Sequence, residues 1–161
     1  MRFLTTNDLI AAMVQHLYDA ENQLVIALPR VILRGSNPAM REALSDHLEE
    51  TKVHSARLEE VASSLNISPC GCKCFAMQGL IKQGDEMAGY GGDPKLVDAA
   101  VMQMCHSVEF FEISQYRSLI ELCQGTPSQA ANQLLQQTLT EEESAADKLS
   151  MLTSDSLAST A

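Results

Sequence analysis

Six acidic or imidazole side chains lie on otherwise apolar faces of four amphipathic segments. Each segment repeats its apolar residues at spacings of three and four, which is typical of an α-helix with one buried face. Removing an ionised carboxylate from water costs several kcal/mol unless it is paired, and clustered carboxylates also repel one another. We therefore predict that metal ions lie among these side chains, which are Glu21, Glu50, His54, Glu109, Glu112 and Glu142.

The second segment carries the imidazole of this set. Glu50 lies within one helical turn of both His47 and His54, so Glu50 and His54 can share a ligand face. A single histidine on an apolar face is more often a hydrogen-bonded core residue than a ligand. We interpret the other three histidines as residues of that kind: His16, His47 and His106.

The third and fourth segments contribute three carboxylates. Glu109 and Glu112 follow the apolar repeat of the third segment, three residues apart, and both are predicted to lean inward. In the fourth segment the repeat selects Glu142 from a run of three glutamates. We expect its neighbours, Glu141 and Glu143, to be solvated. Glutamates and a histidine converging from four helices are the ligand pattern of di-iron and di-manganese bundles.

The composition predicts an all-α domain. The 161 residues suit one domain with a sizeable core, and 45% of them are hydrophobic. Tryptophan is absent and aromatic residues make up only 4%, so the apolar residues are mainly Leu, Ala, Val, Ile and Met. These are better suited to long helices than to sheets.

The charge and hydropathy patterns limit the partners. A formal net charge of −10 argues against nucleic acid and favours cations. No run approaches the roughly 18 apolar residues that span a bilayer, and no basic-then-apolar signal begins the chain. We expect a cytoplasmic protein without membrane or nucleic-acid partners.

Prolines and capping residues mark the helix boundaries. Three helices are predicted to begin where a capping residue precedes proline, at Asn37-Pro38, Asp93-Pro94 and Thr126-Pro127. Pro29 should kink the first helix near its end. The predicted long helices cover about Asn7 to Leu33, Pro38 to Leu65, Pro94 to Cys123 and Pro127 to Leu152.

A stretch of nearly thirty residues separates the second and third long helices. It contains a short amphipathic segment from Phe75 to Met87, followed by a glycine-rich turn. Such a crossover allows two helical hairpins to pack as a pair, which is the topology of ferritin-like folds. We predict one ferritin-like four-helix bundle over residues 1–153, with a short fifth helix in the crossover and a flexible tail at residues 154–161.

Five cysteines, an odd number, favour reduced thiols over a disulfide framework. Cys105 and Cys123 fit as small core residues. Cys70, Cys72 and Cys74 form a closely spaced cluster that could hold a soft metal or oxidise, but no fourth ligand is evident. The role of this cluster stays open.

Several motifs in register resemble the YciF-type ferritin-like stress proteins. They are Tyr18-Asp19-Ala20-Glu21, His47-Leu48-Glu49-Glu50-Thr51 with His54 and Arg57-Leu58, Val108-Glu109 with Glu112 and Tyr116, and Thr138-Leu139 with Glu141-Glu142. The resemblance extends from about Asn7 to Leu152. It implies a ferritin-like bundle, a homodimer, a cytoplasmic bacterial stress protein and a dinuclear metal site.

The chain departs from that pattern at four positions. Phe110 and Phe111 stand where the family usually has histidine and tyrosine, and Ala146 stands where it usually has aspartate. A glutamine common in the family is replaced by His106. These changes leave two readings open, a working metal site and a degenerate one.

Our main prediction is a ferritin-like protein that binds two iron or manganese ions and reacts with oxygen or peroxide. Oxygen donors with an imidazole suit these metals better than copper or zinc. In this prediction Glu50, with Glu109 or Glu112, bridges the ions, and His54 supplies nitrogen. Glu21 and Glu142 are terminal ligands.

The alternative is a non-catalytic dimeric stress protein, a scaffold or metal-sequestering module whose site has decayed. The sequence leaves the enzymatic reaction and its substrate open.

Overall fold

The computed structural model describes residues 2–125 and 128–158, and over these residues the chain is helical without strands. Two helical hairpins and a short crossover helix make up the fold, as the sequence predicts. The helices are α1 (Thr6–Arg34), α2 (Pro38–Ser64), α3 (Phe75–Ala88), α4 (Pro94–Cys123) and α5 (Gln129–Ala158).

Side-chain caps fix the starts of three helices. Thr5 and Asp8 form a reciprocal capping box at the start of α1. Asn37 accepts a hydrogen bond from the backbone N–H of Ala39 at 2.9 Å, and Asp93 accepts one from Lys95 at 2.9 Å. Both prolines therefore begin helices as predicted. The predicted start at residues 126 and 127 lies outside the described residues.

The last helix is longer than the sequence analysis predicts. Helix α5 continues past Leu152 to Ala158, so it overlaps most of the segment expected to be a flexible tail. Residues 159–161 lie outside the described part of the chain.

The long helices pair as two antiparallel hairpins. The most extensive contacts join α1 to α2 and α4 to α5, while α2 also faces α5 and α1 faces α4. The crossover helix α3 packs on α1 and α4. This arrangement is a ferritin-like four-helix bundle with its long connection between α2 and α4. Within the described residues, no helix is long and apolar enough to cross a membrane.

Two polar side chains of α1 hold the crossover against the bundle. Gln15 donates a hydrogen bond to the Ser68 carbonyl at 3.1 Å, and Asp19 accepts one from the Cys74 N–H at 2.7 Å. Between these anchors Gly71 has φ +145°, and a Cβ there would lie 2.9 Å from the Gln15 side-chain oxygen. Only glycine fits this close approach without strain.

The core consists of two apolar clusters along the bundle axis. One includes Val14, Leu17, Leu58, Leu119 and Leu135. The other includes Leu24, Leu28, Met40, Leu44 and Val108. Six buried ionisable residues of the long helices lie close to the junction of the two clusters. We call these residues the carboxylate layer: Glu21, His47, His54, Glu109, Glu112 and Glu142.

Candidate metal centre

Five of the six predicted ligands lie together in the carboxylate layer. Each of the four long helices contributes at least one side chain, because the inward-facing repeat of each helix places an ionisable residue at the same height. The five are buried: Glu21, His54, Glu109, Glu112 and Glu142.

His54 is the centre of a first triad. Its Nδ1 atom lies 2.9 Å from Glu142 Oε1 and 3.8 Å from Glu21 Oε1. One ligand-capable atom from each of the three side chains lies within 4.8 Å of the others. Despite the closeness of Glu142, Nδ1 has no hydrogen-bond partner within the described residues. The nitrogen and two carboxylates thus surround a common position.

His47 and Glu109 form a second triad with the same Glu142. His47 Nε2 lies 3.2 Å from Glu109 Oε1. The ligand-capable atoms of His47, Glu109 and Glu142 lie within 4.8 Å of one another. The sequence analysis treats His47 as an ordinary core histidine, but the structure places its buried ring in the carboxylate layer. Glu142 belongs to both triads.

Glu112 lies among the other carboxylates of the layer. Both of its oxygens are buried and lack a hydrogen-bond partner within the described residues. Its pKa is raised well above the usual value by burial and by the charges of Glu21, Glu142 and Glu109. Glu21, unlike Glu112, has a hydrogen-bond partner, because Tyr116 Oη donates a hydrogen bond to its Oε1 at 2.5 Å.

Glu50 lies at the edge of the layer rather than inside it. Its side chain is 35% exposed, and its Oε2 lies 3.7 Å from His47 Nδ1. The interaction with His47 lowers the pKa of this carboxyl. Neither triad includes Glu50. It borders the site on the side of His47.

The unsatisfied polar atoms of the layer fit bound metal. Over residues 2–125 and 128–158, ten buried side-chain nitrogen or oxygen atoms lack a hydrogen-bond partner, and nine of them belong to the layer. Buried polar atoms in native proteins are nearly always paired, so a concentration of orphans needs an explanation. Carboxylate oxygens with two imidazole nitrogens are donors that suit iron and manganese.

Burial and crowding in the layer shift the pKa values of its own side chains. Burial, then repulsion from Glu142, raises the pKa of Glu21 to about 8. Burial raises the pKa of Glu109 to about 7, although His47 opposes it. Burial disfavours the charged form of His54, but the adjacent Glu142 carboxylate outweighs this effect and raises the pKa to about 9. These carboxylates and imidazoles hold protons that a cation would displace.

Glu141 has a role that the sequence analysis missed. Its Oε2 lies 2.9 Å from His54 Nε2, and Arg57 pairs with both of its oxygens. Burial opposes ionisation, but the bonds from Arg57 and His54 lower its pKa to about 2. An ionised Glu141 holds the Nε2 proton of His54 and leaves Nδ1 as the free donor atom. The only signal in the sequence was that Arg57 and Glu141 lie within motifs of the resemblance.

None of the departures from the family pattern belongs to either triad. Phe110 is 57% exposed, and its ring packs edge-on against His106 with 4.7 Å between ring centroids. His106 is therefore not in the layer. Ala146 is buried in the first apolar cluster. Phe110 therefore lies on the surface of α4 rather than in the layer.

The cysteine cluster is separate from the carboxylate layer. Cys70 is exposed, and the half-buried Cys72 donates a hydrogen bond to Gln15 at 3.1 Å. Cys74 is buried beside α3. In the part of the chain that is described, no group of metal-ligating side chains includes these thiols.

Comparison with known proteins agrees with this geometry. The model of a family described as Domain of unknown function (DUF892) matches residues 5–161. The chain belongs to this family. It is 33% identical over 153 residues to protein YciF of Escherichia coli K12, with 94% of this chain and 92% of YciF covered.

Solved structures of relatives show the same fold. The crystal structure of the Escherichia coli stress protein YciF matches with a TM-score of 0.93 and 31% identity, covering 96% of this chain and 98% of that one. YcfI of Rhodopseudomonas palustris, suggested to be a structural protein, matches with a TM-score of 0.87 and 36% identity over 91% of this chain and 93% of its own. The resemblance to YciF-type proteins is confirmed.

Proposed function

We propose that this member of the family is a dinuclear iron or manganese protein of the stress response that reacts with oxygen or peroxide. The observation that carries the proposal is the sharing of Glu142 between two buried triads. Each triad contributes one imidazole, and the nine orphaned atoms of the layer provide donors for two ions.

The ligand roles proposed here differ from those predicted from the sequence. Glu21 and His54 would hold one ion, and His47 and Glu109 the other. Glu142 would serve both ions, in place of Glu50. Glu112 would supply further oxygens, and Glu50 would approach from the edge. Bound iron or manganese would supply the electron transfer that oxygen or peroxide requires.

Other side chains of the protein orient the proposed ligands and shield the layer from water. Glu141 orients His54 through Nε2, and Tyr116 holds its phenolic proton on Glu21 Oε1. The apolar clusters on either side of the layer keep bulk water away, which strengthens electrostatic interactions within it.

Thermal melts with and without metal test the proposal. Fe(II) or Mn(II) should raise the melting temperature of the wild type, because the ions bind only the native state. Glu142→Gln preserves volume and removes the shared charge, so it should abolish this shift. Glu143→Gln is the matched control, since Glu143 is 41% exposed and paired with Arg117 on the surface. Equal shifts in all three proteins would refute a site built on Glu142.

One observation favours a second function: histidines and carboxylates of the layer pair with each other. The contacts between His47 and Glu109 and between His54 and Glu142 already offset part of its charge without metal. Such a layer suits the non-catalytic alternative, a dimeric stress or scaffold protein with a degenerate site. No metal-induced shift in the wild type would favour this alternative.

A further inference from the structure

A cavity of about 50 Å³ lies between α1, α3 and α4 and ends at the carboxylate layer. Its inner wall includes the second triad's His47 and Glu109, and buried Leu24 and Val108 lie beside them. Apart from these two ligands and Asp85, the side chains that line it are apolar or a thiol. We call it the α3 cavity.

The α3 cavity is least covered on the side of the crossover helix. Its inner residues are buried, whereas Leu80, Ile81 and Gly84 of α3 are only half-buried. At the outer end, Asp85 is held by Arg30 at 3.2 Å and Arg34 at 3.1 Å, both from α1. The lining thus extends from the half-buried residues of α3 to the His47 side of the layer.

We infer that the α3 cavity binds a small, uncharged, apolar molecule of a few atoms, such as dioxygen, and leads it to the second triad. Apolar cavities of this kind exclude water and take up apolar ligands. Its wall offers few hydrogen bonds, so a polar molecule such as peroxide would lose its hydration without compensation. The inference rests on the proposed function for its use, but the cavity can be tested without metal.

Xenon in pressurised crystals is a suitable probe, because it is apolar and scatters strongly. The wild-type protein should show xenon between α1, α3 and α4, next to Val108. Gly84→Leu should obstruct the cavity from α3, since a Cβ on Gly84 would lie 3.7 Å from the Met104 Cβ. Gly79→Leu is the matched control on the same helix, because a Cβ there meets nothing within 4 Å.

A second blocking variant acts from the opposite wall. Ala27 of α1 is buried and lines the α3 cavity, so Ala27→Leu should fill it from inside. We expect both blocking variants to lower xenon occupancy by about fivefold or more, while Gly79→Leu matches the wild type. If one blocking variant fails to fold, the other, together with wild-type occupancy, decides the result.

Metal content measured on the same proteins separates this inference from the proposed function. Xenon in the wild type that is lost in the blocking variants supports the α3 cavity, even if no protein binds metal. No xenon in the wild type, or equal occupancy in the folded blocking variants, would overturn it. Iron and manganese content should be unchanged by either blocking variant, because neither residue is a ligand.

Discussion

At the residue scale, the chemistry of the carboxylate layer depends on which atom of each side chain is free. His54 has two ring nitrogens with different surroundings. Nε2 contacts ionised Glu141 at the layer's outer edge, while Nδ1 faces Glu142 and Glu21. A carboxylate on one nitrogen fixes the tautomer and makes the other nitrogen a better donor.

Replacing Glu141 tests this positioning role. Glu141→Ala should weaken metal binding by about 10–100-fold, because the His54 ring loses the partner that fixes its tautomer. Affinity is measured by titration of the metal-free protein with Mn(II). Glu143→Ala, two residues along the same helix, should leave affinity unchanged. Equal affinities for the two variants would show that Glu141 serves only its pairing with Arg57.

The sequence predicts most residues of the carboxylate layer. It does not predict that His47 of α2, rather than Glu50, lies inside it. His47, Glu50 and His54 are spaced three and four apart, so all three lie near one face of the helix. The rotation of α2 against α5 decides that His47 turns inward and Glu50 stays at the edge. That rotation is set by packing between helices, which the spacing in one segment does not contain.

At the element scale, the bundle is tied together where helices begin. Asp98 of α4 is buried and accepts hydrogen bonds from the backbone N–H of Ser36 at 3.0 Å and of Asn37 at 2.7 Å. The Ser36 hydroxyl donates a further bond at 2.6 Å. A carboxylate at the start of α2 also interacts favourably with the helix dipole.

Removing Asp98 should therefore destabilise the fold without altering the layer. We expect Asp98→Ala to lower the free energy of unfolding by about 1–3 kcal/mol, because the backbone N–H groups of Ser36 and Asn37 lose a charged acceptor. Urea denaturation measures the change. Asp147→Ala, at an exposed position of α5, is the control. Matching midpoints for both variants would contradict this account of the α2 start.

The sequence predicts helix starts better than helix ends. Asn37 and Asp93 begin helices through local side-chain bonds, and local chemistry is visible in the sequence. The end of α5 has no such marker, since a polar segment rich in Ser, Thr and Ala can continue a helix that is already packed. The anchoring of the crossover by Gln15 and Asp19 was equally hidden, because it joins residues far apart in the chain.

At the scale of the whole molecule, the layer makes stability depend on pH when metal is absent. The raised pKa values of Glu21, about 8, and Glu109, about 7, mean that the native state holds protons that the unfolded state releases above about pH 4.5. The stability contributed by His54 is present below its ordinary pKa and is lost as pH rises through about 9. The lowered pKa of Glu141, about 2, affects stability only at acidic pH, below the ordinary pKa of a glutamate.

The metal-free protein should therefore become less stable as pH rises from 6 to 9. A loss of about 2 kcal/mol would lower the melting temperature of a domain this size by about 4–8 °C. Calorimetry at several pH values measures the trend. Bound Fe(II) or Mn(II) should reduce or reverse it, because metal displaces the same protons. A flat profile without metal would contradict the ionisation described for the layer.

A homodimer is our proposal for the assembly. Ile26 and Leu33, at 68% and 84% exposure, lie seven residues apart on one side of α1. They fit an interface better than Val31 and Ile32 of the same helix, which pack against the core. Light scattering at micromolar concentration should return twice 17.6 kDa.

Substitution on this side of α1 tests the interface. Glutamate at both Ile26 and Leu33 should yield monomers, because two charges would be buried in the interface. Met151→Glu, at an exposed position of α5, should leave the dimer intact. A wild-type mass near 17.6 kDa would rule out the dimer.

The most direct test of the central claim is the metal content of protein purified under native conditions, with iron and manganese both assayed. We predict about two ions per chain in the wild type. Glu143→Gln should contain the same amount, and Glu142→Gln less than about half, because Glu142 is shared by both triads. A wild type that contains no more iron or manganese than Glu142→Gln would contradict the dinuclear site.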